Sequence, residues 1–120
     1  MSGSYRDIRF GKRPLELVVD IYSCIRSFPR EEVYGLACQL RRAAVSVPGN
    51  IAAGKGRRTD SCYFARGSLF EAETQLTIAE LLGYVAQAEV QRIGNSAGEV
   101  ARMLNGLIKA ISSAERKQAA

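Results

Sequence analysis

Few residues of this chain have the type and spacing that chemistry requires. It contains no histidine. That removes the Ser-His-Asp triad, Cys-His nucleophiles, the HExxH zinc helix and the Glu-x-x-His di-iron helix together. Gly49 to Gly56 read GNIAAGKG, close to a phosphate-binding P-loop. Such a loop needs Ser or Thr after the lysine to hold magnesium, and a strand before it. Here Gly56 follows Lys55, and the preceding stretch has helical periodicity. A glycine C-cap ending one helix before a tight turn accounts for the same residues. Glu71, Glu73 and Glu80 share one helical segment, where carboxylates turned into a bundle could hold metal or move protons. None has a histidine at i+3, and ion pairing (Arg66 with Glu73, seven residues on) or capping of a neighbouring helix serves them better. No metal or cofactor is expected, and no enzymatic activity. Cys24, Cys38 and Cys62 are odd in number and lack a C-x-x-C pair, which fits free thiols in a reducing cytosol. Cys62 sits near a helix start, where a thiol pKa can fall; burial among small residues is the commoner use of a lone cysteine.

Charge offers more. Residues 1–66 hold twelve Lys/Arg against six Asp/Glu, and residues 67–120 hold five against six. The net +5 therefore resides in the first half. Lys55, Arg57, Arg58 and Arg66 face Asp60 alone in their neighbourhood. A glycine-rich bend with arginines can approach phosphates through side chains and backbone N–H groups; a solvated interhelical turn is the other reading. No aromatic interleaving of the RNP kind supports stacking on single-stranded bases.

Four segments of helical length must position these residues. In the first, Pro14, Val18, Ile21, Ile25 and Phe28 step by 4, 3, 4, 3, which is one helix face. In the second, Leu36, Leu40, Ala43, Val47 and Ile51 form one stripe, and Tyr34, Cys38, Arg41, Val45 and Pro48 form another, mostly opposite. A helix apolar on two sides wants burial on two sides. The second stripe therefore asks for another subunit. Pro48 is expected to kink this helix or interrupt its ladder. In the third, Cys62, Ala65, Leu69, Ala72, Leu76, Ala79 and Gly83 alternate small and large, with Thr59, Asp60 and Ser61 as candidate N-caps. In the fourth, Val90, Ile93, Ala97, Val100, Leu104, Leu107 and Ile111 repeat the heptad steps of left-handed bundle packing. The spacing predicts helices near 14–28, 31–53, 60–82 and 86–113. Short joints make neighbours antiparallel, so the expected fold is all-α, an antiparallel up-down-up-down four-helix bundle.

Composition agrees with one globular domain. The chain has 120 residues, 47% hydrophobic and 24% charged, which is ordinary for a folded domain. A polar lead (about 1–6) and a fraying tail (about 114–120) are expected to flank it. No apolar stretch follows a basic start, and no run is long enough to span a membrane, so a secretory signal and a membrane partner are not expected. The expected location is cytoplasmic.

Several motifs carry a likeness. Ser4-Tyr5-Arg6-Asp7-Ile8, Ser27-Phe28-Pro29, Tyr34-Gly35-Leu36, the run Gln39 to Pro48 (QLRRAAVSVP), Asn50-Ile51-Ala52, Gly54, Gly56-Arg57 and Ala65-Arg66-Gly67-Ser68-Leu69 resemble the four helix bundle protein family, also called 23S rRNA-intervening sequence protein. The likeness covers roughly residues 4–84 and is strongest from Tyr34 to Arg57. It implies an antiparallel four-helix bundle assembled as a ring-shaped homopentamer. A related protein, the accessory variability determinant of diversity-generating retroelements, is a basic pentamer that works with a reverse transcriptase and binds nucleic acid. The chain departs from the family twice. Ala53 stands where Glu is usual, and the stretch between Arg57 and Ala65 is shorter by about a turn of helix.

Two functions are compatible with these readings. One is a non-enzymatic oligomer that binds RNA or DNA weakly, with Arg42, Lys55, Arg57 and Arg58 supplying phosphate contacts. The other is a structural or protein-interaction scaffold without nucleic acid, its protein partner unspecified. Both place Tyr34, Cys38, Arg41 and Val45 at a homo-oligomer interface. Arg42 lies away from both stripes of its helix and is the better candidate for an unpaired charge.

Overall fold

The computed structural model describes residues 12–54 and 58–119. Its elements are α1 (Arg13–Ile25), a 3₁₀ turn (Arg30–Glu32), α2 (Leu36–Gly54), α3 (Thr59–Leu81) and α4 (Gln87–Ala119). Each helix packs against its chain neighbours, and α1 also packs against α4, closing the square. Cross-helix pairs fix the directions. Arg13 Nε meets Glu99 Oε1 at 2.9 Å and Arg92 Nη1 meets Asp20 Oδ2 at 3.4 Å, so α1 and α4 run antiparallel. Thr59 Oγ1 donates to Glu115 at 2.6 Å and Arg66 Nη1 to Asn105 Oδ1 at 2.7 Å, so α3 and α4 do as well. The described residues form an antiparallel up-down-up-down four-helix bundle, as the periodicity implies.

The core follows the heptad stripes. Ile21 and Ile25, Leu40, Val47 and Ile51, Leu69 and Leu76, and Ile93, Val100 and Leu104 are all buried. Leu17 and Cys24 join them, so the buried face of α1 is wider than its 4, 3, 4, 3 stripe.

Helix ends differ from the expected ones for local reasons. α1 stops at Ile25, short of Phe28. Pro29 disfavours helix in the residue before it, and residues 26–28 tighten into i to i−3 bonds, ending with Phe28 N–H to the Ile25 carbonyl at 2.9 Å. The second segment does not run unbroken from residue 31; a 3₁₀ turn comes first and α2 begins at Leu36. Glu32 explains the restart. Its Oε1 accepts the Leu36 N–H at 3.0 Å, supplying a carboxylate at the positive end of α2. A Cβ on Gly35 would lie 2.7 Å from that oxygen, so glycine leaves room for the cap. α2 then continues through buried Pro48. Proline offers no N–H to the Ala44 carbonyl. One turn on, Asn50 Nδ2 donates to the Ser46 carbonyl at 2.8 Å, and Ser46 Oγ meets Ser68 Oγ of α3 at 2.8 Å.

α3 is capped by Arg58, not by Thr59, Asp60 or Ser61, and Arg58 provides no side-chain cap bond. Asp60 Oδ1 instead accepts the Ser61 N–H at 2.8 Å. α3 ends in a Schellman motif: Tyr84 N–H reaches the Ala79 carbonyl and Gly83 N–H the Glu80 carbonyl, both at 2.9 Å, with Gly83 at φ 80°. α4 extends to Ala119, past the expected helix end near residue 113, and Glu115 in its last turns accepts a hydrogen bond from Thr59. Among the described residues no helix is long and apolar enough to cross a membrane.

Candidate nucleic-acid and subunit interface

Two exposed faces carry the residues of interest. On α2, Cys38, Arg42, Val45, Gly49 and Ala52 step by 4, 3, 4, 3 and point away from the core; Cys38 is half-buried and the others are exposed. The outward stripe is therefore rotated from the one inferred from spacing. Pro48 turns inward and is buried, and Tyr34 precedes α2, with 92% of its surface exposed. Arg41 is half-buried, and its Nη2 donates to the Val33 carbonyl at 3.3 Å. Arg42, on the outward stripe, meets no carboxylate among the described residues. Of the four residues assigned to an interface, Val45 and Cys38 thus share one stripe, while Tyr34 and Arg41 flank it.

The basic turn is less open than its composition suggests. Lys55 and Arg57 lie outside the described residues. Arg58 forms a two-point pair with Asp60, Nη2 to Oδ2 at 2.8 Å and Nε to Oδ1 at 3.2 Å. That contact raises the Arg58 pKa and lowers that of Asp60. Arg66 does not pair with Glu73. It donates to Asn105, and its guanidinium carbon sits 4.8 Å from the Tyr63 ring centroid, a cation–π distance. Glu73 is half-buried, and burial alone pushes its carboxyl up.

Neither buried thiol is activated. Burial, with a smaller contribution from Glu89, pushes Cys24 up to about 11. Burial and then Asp60 raise Cys62, the opposite of the shift its helix-start position suggests. Among the described residues no three His, Cys, Asp or Glu side chains come together as a metal-holding group.

A second exposed stripe with apolar side chains is not evident from the inner spacing. On α3, Tyr63, Gly67, Phe70, Thr74, Ile78 and Leu81 step by 4, 3, 4, 4, 3, and all are exposed, Leu81 at 81%. Phe64 adds a ring at 63% exposure one residue round the helix. The signal was present: α3 has apolar residues on two faces, as α2 does. The strong small–large alternation of the inner face masked it.

A search of curated proteins finds no match to the chain. The family model described as 23S rRNA-intervening sequence protein matches residues 6–106. That span takes in all of α1, α2 and α3 and the turns that carry the basic residues, and the chain belongs to this family.

Proposed function

We propose that this chain is a non-enzymatic, homo-oligomeric helical-bundle protein that binds RNA or DNA weakly through a basic surface. The observation that carries the reading is the double outward face, the α2 stripe around Val45 beside the α3 stripe around Phe70 and Ile78. Large apolar side chains left exposed on two packed helices mark an interaction surface when they lie together. A second copy is the occupant this face fits. Five copies in a ring is the number the family resemblance implies.

Arg42 supports the nucleic-acid part, being an exposed guanidinium that meets no carboxylate among the described residues. A ring repeats it around an axis, and repetition raises avidity for a long polyanion without new contacts. Lys55 and Arg57 are proposed to add to the same surface. The scaffold reading is favoured by one observation: Arg58 is already neutralised by Asp60. Fluorescence anisotropy with labelled RNA and DNA at several salt concentrations decides between them. The reading predicts binding that falls log-linearly with salt, with a flatter slope in Arg42→Ala and in Lys55→Ala/Arg58→Ala. No binding at low salt leaves the scaffold.

A further inference from the structure

At the α1–α2 end of the bundle, opposite the α2–α3 turn, lies a cleft of about 550 Å³. Three arginines line it: Arg26 after α1, Arg30 of the 3₁₀ turn and Arg41 of α2. Its floor is apolar, with Ile25, Phe28 and Ala37. No acidic side chain lines it, although Glu31 and Glu32 are adjacent in sequence. Glu32 is turned away from it, engaged by the Leu36 N–H and by the Tyr84 hydroxyl, which donates to Oε2 at 2.9 Å. Glu31 acts electrostatically on the same Tyr84. The turn thus separates its charges, with the Glu32 carboxylate at Tyr84 and the guanidiniums lining the cleft. Arg41 is tethered by one nitrogen to the Val33 carbonyl, which orders its guanidinium while its remaining N–H groups have no partner among the described residues.

We propose that this cleft binds a phosphate monoester carried on a flat or apolar group: a nucleoside 5′-monophosphate, free or as the 5′ end of a single strand. A carboxylate brings one charge and is satisfied by one guanidinium. A phosphate monoester brings nearly two charges and three acceptor oxygens, matching several arginines at once. The volume lies within the ~300–1,000 Å³ range of small-ligand sites. Tyr22, an exposed ring in the lining, offers a stacking surface for a base. The inference does not rest on the self-association face or on Arg42, which is not part of the cleft.

Calorimetric titration of the full chain with AMP, adenosine and N-acetylglutamate tests it. AMP is expected to bind saturably, and adenosine and N-acetylglutamate at least tenfold more weakly. Arg41→Ala is expected to cost roughly tenfold in AMP affinity, the loss of one charge-assisted contact. Arg26→Ala, at an exposed position, is expected to weaken AMP without disturbing the fold, and thermal melts check both variants. Arg42→Ala is expected to leave AMP binding unchanged while lowering polyanion affinity, so the two sites fail or stand separately. An oligonucleotide with a 5′-phosphate binding more tightly than its 5′-hydroxyl twin assigns the ligand to a strand end; equal binding of the twins beside saturable AMP assigns it to free nucleotide. AMP binding no tighter than adenosine or N-acetylglutamate, or an affinity untouched by Arg26→Ala, overturns the proposal.

Discussion

Glu32 joins two parts of the molecule that are far apart in sequence. One carboxylate oxygen caps α2 and the other accepts the Tyr84 hydroxyl in the α3–α4 turn. Tyr84 in turn packs its ring 5.5 Å from that of Phe28, and its carbonyl lies 2.9 Å from Ser27 Oγ. Two turns distant in sequence are thereby fastened at one end of the bundle. The Leu36 N–H, and then the Tyr84 hydroxyl, hold the Glu32 pKa below its ordinary value of 4.5. A carboxyl whose folded pKa is depressed contributes its stability fully above the unfolded pKa. It loses that contribution as pH falls through the folded value. Urea midpoints measured from pH 6 downward should therefore drop below about 4.5, and Glu32→Gln should show a shallower drop. Some slope remains in the variant, since Asp60 and Glu89 are also lowered by their arginine partners. Gln75 is the opposite case. It is buried at 7% exposure and its Oε1 has no hydrogen-bond partner among the described residues. An orphaned buried polar atom costs about 1–3 kcal/mol, so Gln75→Met should raise the melting temperature, with no change of fold by circular dichroism.

At the scale of elements, periodicity reads well and turn chemistry reads unevenly. The four inner stripes are visible in the spacing of Leu40–Val47–Ile51 or Ile93–Val100–Leu104 because burial repeats at the helical period. The restart of α2 at Leu36 is not visible in the apolar spacing, because it depends on a polar contact, Glu32 folding back over Gly35 to the Leu36 N–H four residues on. The capping of α3 is hidden for a long-range reason: Thr59 is drawn to Glu115, fifty-six residues on. Arg58 and Arg66 are legible as basic residues, but the partner of Arg66 is not, since Asn105 lies thirty-nine residues away and reaches it only through the fold. The outward faces fall between these cases; Val45 is found from spacing, whereas Phe70 and Ile78 are obscured by a stronger inner pattern. Gly83 is the turn residue with the firmest requirement. Its φ of 80° costs an L side chain about 1–2 kcal/mol. Gly83→Ala should lower stability by roughly 1 kcal/mol, read as an earlier thermal midpoint, although nothing lies within 4 Å of the added Cβ.

At the scale of the molecule, the bundle measures 53 × 31 × 25 Å and turns two of its helices outward with apolar side chains. The inner stripes form one core, and the outer ones have no place in it among the described residues. Val45 is 47% exposed, at the centre of the α2 stripe, and an aspartate there places an uncompensated charge in any apolar contact. The substitution leaves the core untouched, because Val45 points away from it, so a folded variant isolates the interface. Sedimentation equilibrium on the chain of 13.1 kDa and on Val45→Asp is the most direct measurement. The account predicts a mass several times that of one chain for the parent and a shift toward the single-chain mass for the variant. A parent that sediments as a single chain, or a variant with the parent's assembled mass, would contradict it.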